Sequence, residues 1–310
     1  MPRTTPGRRP TTRPLSALAL LALVAGAATA CGTDDGGPAT TRTASASAAP
    51  ANGTPAAAGL HMVDNGGHRL AFHVAPGTSS ATVVLDAGGG EDSSYWNALV
   101  PRIGAATGAT VITYDRAGLG DSDPVPGPWK VQDAVGDLAA GLRQLGVTGK
   151  VTLVSHSQAG QIATYFAEQH PKTLSGAVLV DANLPPLFTN AQIARLVAFS
   201  EPDVEAARKA PDTPADRQLL ATAESFVETS KAFHAAAWPD SVPATVIVSE
   251  KTPFDGSPED VRRWREAAAA FVQDGPDRTL VTARGSSHDV PKDRPALVVR
   301  EIEDMVAARH

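Results

Sequence analysis

The sequence predicts an α/β domain built on a mostly parallel sheet with helices on both faces. Three observations lead there. From residue 60 onward, short apolar runs alternate with helix-length amphipathic segments. The first two runs are joined by Asn65-Gly66-Gly67, a hairpin signal, so the sheet opens with an antiparallel pair. The later runs are apolar throughout, the pattern of strands buried on both faces by covering helices.

In chain order, residues 60–64 and 68–74 form the hairpin. Residues 81–85 are a continuous β-branched run followed by Gly88-Gly89-Gly90, and 109–114 are a further strand. Residues 131–145 read as a helix, with Val131, Ala134, Val135, Leu138, Ala139, Leu142 and Leu145 on one face. A strand over 151–154 leads into a helix over 160–170, stopped by Pro171. Strands follow at 176–180, 244–248 and 279–283, and an amphipathic helix over 296–308 closes the chain. Residues 183–240 break the alternation: 193–199 and 219–233 read as helices, with Pro202, Pro211 and Pro214 between them. We read this stretch as a helical cap inserted between two strands, the alternative being an extended connection with surface helices.

Composition narrows the function. The chain has 310 residues, 42% of them apolar, and a net charge of −6. This acidic balance argues against nucleic acid as a partner, which calls for clustered Lys and Arg. The single cysteine excludes an intramolecular disulfide framework and a Cys-rich zinc site, and the histidines lack metal-ligand spacing, so neither metal nor cofactor is expected.

The first thirty residues read as an address. Arg3, Arg8, Arg9 and Arg13 precede an apolar run over 15–28 that is short for a spanning helix, and small residues lead into Cys31. This resembles a bacterial lipobox, with Ala28 where Leu is commoner. The resemblance implies that Cys31 is lipidated, becomes the mature N-terminus and anchors the protein to the outer side of the cell membrane. The alternative is an ordinary secretory signal and a secreted protein. Losing four arginines takes the charge from −6 to −10. The chain thus divides into a signal peptide at 1–30, a lipidated N-terminus and Gly/Ser/Thr/Ala/Pro-rich linker at 31–58, and a domain at 59–310.

The chemistry concentrates at Val151-Thr152-Leu153-Val154-Ser155-His156-Ser157-Gln158-Ala159-Gly160, where a strand runs into a helix through a very short turn. Such a turn strains its apex residue and pushes that side chain outward, and the residues two before and two after must be small. Ser157 meets this with Ser155 and Ala159, whereas an apex at Ser155 would put Leu153 in the crowded position.

With this elbow, residues 60–308 resemble the α/β-hydrolase family, whose motifs occur in order. Leu85-Asp86-Ala87-Gly88-Gly89-Gly90 followed by Trp96 resembles the oxyanion loop. Tyr114-Asp115-Arg116-Ala117-Gly118-Leu119-Gly120-Asp121-Ser122 resembles the Tyr-Asp-Arg-x-Gly-x-Gly-x-Ser turn, and Ser286-Ser287-His288-Asp289-Val290 the histidine loop. The resemblance implies an α/β-hydrolase fold and a serine hydrolase, an esterase that needs no cofactor and acts on a small ester-type molecule. Ser157 is then the nucleophile, His288 the base, and the backbone N–H groups of Gly89 and Gln158 the oxyanion donors. The acid stays open. Thr252 stands where the commoner family position has Asp, and the candidates rank Asp181, then Asp255, then Glu250. Asp115 and Arg116 read as scaffolding. Amide or peptide hydrolysis, perhydrolysis and a non-catalytic binding lipoprotein remain as alternatives. Dehalogenase and epoxide-hydrolase chemistry is disfavoured, because those members carry Asp where Ser157 stands.

Overall fold

A computed structural model describes residues 56–254 and 257–309. Eight strands form one sheet in the order β1-β2-β4-β3-β5-β6-β7-β8. β1 (Gly59–Asn65) and β2 (His68–Ala75) are the antiparallel hairpin, and β2 also pairs antiparallel with β4 (Thr110–Tyr114). The remaining neighbours are parallel: β3 (Thr82–Asp86), β4, β5 (Val151–His156), β6 (Leu174–Val180), β7 (Ala244–Ser249) and β8 (Arg278–Ala283). The predicted α/β-hydrolase fold class is therefore the one observed.

Successive strand side chains point to opposite faces, and the core divides accordingly. Val83, Leu85, Val154, Val178 and Val180 pack with Trp96 and Ile103 beneath α1 (Val100–Thr107) and the C-terminal helix over Pro295–Ala307. Val84, Leu153, Leu179 and Val246 pack on the other side. That side is covered by α2 (Val131–Gln144), α3 (Ala159–Gln169) and a helix over Pro258–Gln273.

Between β6 and β7 the chain forms α4 (Asn190–Lys209) and α5 (Pro214–His234), both longer than their sequence signals. α4 continues through Pro202, which removes one backbone donor from the helix. Burial of Ile193 and Leu196 before it and of Val204 and Ala207 after it keeps both halves packed. Thr213 starts α5 through a capping box with Asp216. Three helices come without a sequence prediction: α1, α6 (Pro258–Gln273) and α7 (Val290–Asp293). The C-terminal helix is α8.

Because β3 and β5 to β8 run parallel, their C-terminal ends share one edge of the sheet. That edge carries Gly88-Gly89-Gly90 after β3, Ser157 after β5, Asp181 after β6, residues 250–254 after β7 and His288 after β8. Cys31 and Asp255 lie outside the described residues.

Candidate active site

Ser157 sits between the last residue of β5 and the start of α3 with φ of 53°, a left-handed conformation that costs a non-glycine residue about 1–3 kcal/mol. Its carbonyl accepts from the amides of Gly160 (3.0 Å) and Asn183 (2.8 Å), and its own amide donates to Val180 O (3.3 Å). These bonds hold the turn closed. Gly160 is required beside it, since a Cβ there would run into the carbonyl of Asn183.

His288 lies in the loop between β8 and α7, and its ring spans two other site residues. Nε2 is 2.9 Å from Ser157 Oγ, and Nδ1 is 2.6 Å from Asp181 Oδ2. Ser157 and Asp181 are each 1% exposed and His288 5%. A hydroxyl, an imidazole and a carboxylate in this order can remove a proton from the hydroxyl and stabilise the resulting imidazolium.

Asp181 follows β6 with φ of 43°. Its carboxylate accepts from the Ser249 amide (2.8 Å), Ser249 Oγ (2.6 Å) and Trp264 Nε1 (2.8 Å) besides His288. Burial pushes this carboxyl up, but the bonds and charge from His288 and the two bonds from Ser249 outweigh it and hold Asp181 below the usual carboxylate range. Thr252, at the commoner acid position, instead donates its amide to Ser249 Oγ at 3.0 Å and so steadies a donor to Asp181. Glu250 does not reach the imidazole in this structure. Its Oε2 accepts the Gly285 amide at 2.5 Å, on the loop that leads to His288.

The Gly88-Gly89-Gly90 loop after β3 approaches Ser157 closely. A Cβ on Gly88 would fall 2.8 Å from Glu91 Oε2, 3.0 Å from His156 Nδ1 and 3.3 Å from Ser157 Cβ, so a side chain there has to displace the Glu91 carboxylate and crowd His156 and Ser157. The amides of Gly88 and Gly90 donate to Glu91 Oε2 (3.1 Å) and Gln218 Oε1 (2.5 Å), which flank Gly89 with fixed neighbours. From below, Arg116 donates to Asp86 Oδ1 (2.7 Å), Ala87 O (2.5 Å) and Gly88 O. Asp115 accepts the amides of Ser93 (2.8 Å) and Asp121 (2.9 Å). His73, Asp115 and Asp121 bring three ligand-type atoms within 4.8 Å of one another, but both Asp115 oxygens already brace this turn.

His156 is fully buried beside the centre. Its ring stacks on Tyr95 at 4.9 Å and lies 4.7 Å from the His288 ring, and Nε2 is 3.1 Å from His288 O. Burial lowers the affinity of His156 for a proton. The Glu91 carboxylate 3.6 Å from Nδ1, the His288 carbonyl and the Asp289 charge more than compensate, and its pKa is raised. The sequence alone does not single out His156, Trp264, Glu91 or Gln218. Trp264 was within reach of sequence reading, because Asp260, Trp264, Ala267, Ala268 and Phe271 of α6 recur at helical spacing after a Ser257-Pro258 start. Glu91 and Gln218 carry no sequence signal of their own.

A family model described as "Alpha/beta hydrolase family" matches residues 83–301. The uncharacterized protein YqjL of Bacillus subtilis is 33% identical over 116 residues, 37% of this chain and 45% of YqjL. The matches to curated relatives span less than half of those proteins' length. A thermophilic esterase from Thermogutta terrifontis superposes with a TM-score of 0.57 at 22% identity, over 82% of this chain and 100% of that chain. An esterase from Exiguobacterium antarcticum does so with a TM-score of 0.59 at 16% identity, over 81% and 100%. At these identities the two likenesses concern the fold.

Proposed function

We propose that this chain, which belongs to the alpha/beta hydrolase family, is a serine hydrolase that cleaves a carboxylic ester through an acyl-enzyme. One observation carries the reading: the His288 ring stands 2.9 Å from Ser157 Oγ and 2.6 Å from Asp181 Oδ2 at one buried sheet edge. In this reaction His288 Nε2 takes the hydroxyl proton as Ser157 Oγ attacks the ester carbonyl. The carbonyl oxygen becomes an oxyanion held by the amides of Gln158 and Gly89. Collapse expels the alcohol, which receives its proton from His288, and water then repeats the sequence on the acyl-serine. Asp181 keeps the proton of neutral His288 on Nδ1, which leaves Nε2 free to act as base.

The esterases among the structural neighbours support an ester-type substrate. Helices α4 and α5, inserted above the sheet edge, act as the cap that shapes it. The arginines, apolar run and Cys31 of the N-terminal sequence support export and attachment to the membrane by a lipid on Cys31. The test of the chemistry is labelling by a fluorophosphonate probe together with turnover of p-nitrophenyl acetate. Both occur in the wild type and vanish in Ser157→Ala under this reading. Turnover that survives in Ser157→Ala refutes it, and a wild type that neither labels nor turns over is a binding protein. For the anchor, Cys31→Ser moves the protein from the detergent to the aqueous phase of a Triton X-114 partition.

A further inference from the structure

The mechanism makes no use of His156, a fully buried imidazole that stands between two loops of the reaction centre. On one side its Nε2 lies 3.1 Å from the backbone carbonyl of His288. On the other its Nδ1 lies 3.6 Å from Glu91 Oε2, the same oxygen that accepts the Gly88 amide at 3.1 Å. A continuous path therefore runs from Gly88, one residue before the oxyanion donor Gly89, through Glu91 and the His156 ring to the backbone of His288.

We propose that His156 is a positioning residue whose imidazolium, through Glu91, fastens the oxyanion loop to the loop that carries His288. The inference rests on the ester-hydrolase reading and adds to it a residue that works through others.

Geometry decides which nitrogen matters. A backbone carbonyl only accepts, so Nε2 keeps a proton for His288 O in either charge state. Nδ1 is then the nitrogen that titrates. In neutral His156 the Nδ1 lone pair faces the Glu91 carboxylate, two acceptors opposed in a buried place, and Nδ1 has no hydrogen-bond partner among the described residues. In the cation Nδ1–H faces Oε2, which then holds one N–H from His156 and one from Gly88. Such a charge-assisted contact is about twice as strong as a neutral one.

The surroundings favour the cation. Glu91 faces the ring from the loop after β3, Tyr95 from the turn at Ser93–Trp96, and His288 and Asp289 from the loop after β8. Tyr95 stacks on the ring at 4.9 Å and gives its hydroxyl to Asp289 Oδ1 at 3.2 Å. Lys292 of α7 is exposed and lies 3.9 Å from Glu91 Oε1 and 3.4 Å from Asp289 Oδ1. It approaches the other oxygen of Glu91, so it does not replace His156 at Oε2.

The experiment measures kcat for p-nitrophenyl acetate and the rate of fluorophosphonate labelling, from about pH 5 to about pH 10, in the wild type, Glu91→Gln and His156→Gln. Both rates are corrected for hydrolysis without enzyme. In the wild type they fall about tenfold on an alkaline limb, as His156 loses its proton and with it one charge-assisted contact. Glu91→Gln keeps an oxygen for the Gly88 amide and removes only the charge, so that limb moves about one pH unit toward acid. His156→Gln does not titrate, so the limb disappears and the plateau stays at the lower rate. The loss falls on kcat, with KM for acetate changed less than about twofold. Glu91→Gln carries the test if His156→Gln does not fold. Contacts that merely brace the fold would lower Tm in both variants and leave the limb in place. That outcome, or a wild type with no alkaline limb, overturns the positioning role while leaving the esterase reading intact. A wild type that neither turns over the ester nor labels overturns both.

Discussion

Replacing Asp181 by Asn is a sharp test of the proposed mechanism, because the structure dictates which way the new amide turns. Asp181 Oδ1 faces the amide N–H of Ser249 and the indole N–H of Trp264, each at 2.8 Å. Both groups can only donate. The Asn carbonyl must therefore occupy that position, which turns its NH2 toward the place of Oδ2, against His288 Nδ1 and Ser249 Oγ. An NH2 there needs an acceptor, so His288 is driven to the tautomer with its proton on Nε2. That nitrogen lies 2.9 Å from Ser157 Oγ and can no longer receive its proton. A wrong-tautomer histidine lowers kcat about 10⁴-fold, which corresponds to about 5.4 kcal/mol in the barrier. The fold tolerates the change, because Asn is among the residues best suited to the φ of 43° at this position. The assay is the steady-state rate on p-nitrophenyl acetate at pH 7.5, with circular dichroism to verify folding. A folded Asp181→Asn enzyme retaining more than a tenth of wild-type kcat refutes the tautomer argument. Glu250→Gln, which touches only the Gly285 amide in this region, changes kcat less than threefold on the same reasoning.

Ser249→Ala removes the hydroxyl that donates to Asp181 at 2.6 Å, a bond that helps depress that carboxyl. A depressed carboxylate confers stability above its unfolded pKa and loses it as pH falls through the folded value. The gap in Tm between wild type and Ser249→Ala is therefore widest near neutral pH and narrows as pH falls through the range where Asp181 takes its proton, and a gap that does not narrow counts against this account. His156 has the opposite sign. Its raised pKa means that the stabilisation from its proton is complete below about pH 6.5 and is lost as pH rises through the folded value. The gap in Tm between wild type and His156→Gln is accordingly widest in mild acid and narrows toward alkaline pH. The groups that set it are Glu91, Tyr95, Asp289 and His288. Gly88→Ala pushes a methyl group against Glu91, His156 and Ser157 and displaces the oxyanion loop. Its kcat falls about 10²-fold, and fluorophosphonate labelling slows with it.

The strands were legible because burial on both faces writes itself as uninterrupted apolar runs, and each predicted run corresponds to an observed strand within a few residues. Helices were legible where an apolar stripe was dense, as from Val131 to Leu142, and missed where it was built from alanines around one tryptophan, as in α6. That omission hid Trp264, a donor to Asp181. Pro202 misled in the other direction. Local chemistry marks proline as a break, yet apolar contacts on both sides carry α4 across it. The sequence ranked Asp181 ahead of Asp255 and Glu250, but how the loops after β6, β7 and β8 meet over the sheet is set by tertiary approach. The links Gly90 to Gln218 and His156 to Glu91 join residues far apart in the chain and depend on tertiary approach alone.

The strained positions explain why the acid stayed open in the sequence. Among the described residues, five non-glycine positions have positive φ, and three of them are Ser157, Asp181 and Thr252. These follow β5, β6 and β7, neighbouring strands whose ends stand side by side. At each, the chain leaves its strand by a turn that an L-residue resists, at a cost of about 1–3 kcal/mol apiece. The strain is distributed around one point: Ser157 bonds to His288, Asp181 bonds to His288, and Thr252 supports Ser249, which bonds to Asp181. Sequence propensity describes what a residue prefers, so it cannot register positions defined by going against preference. Ser157 was an exception because its strain shows in its neighbours. The turn is so tight that Ser155 and Ala159 had to be small, and smallness is visible in a sequence. Asp181 left no such trace, because its turn is held by the Ser249 amide and the Trp264 indole, which arrive from 68 and 83 residues away.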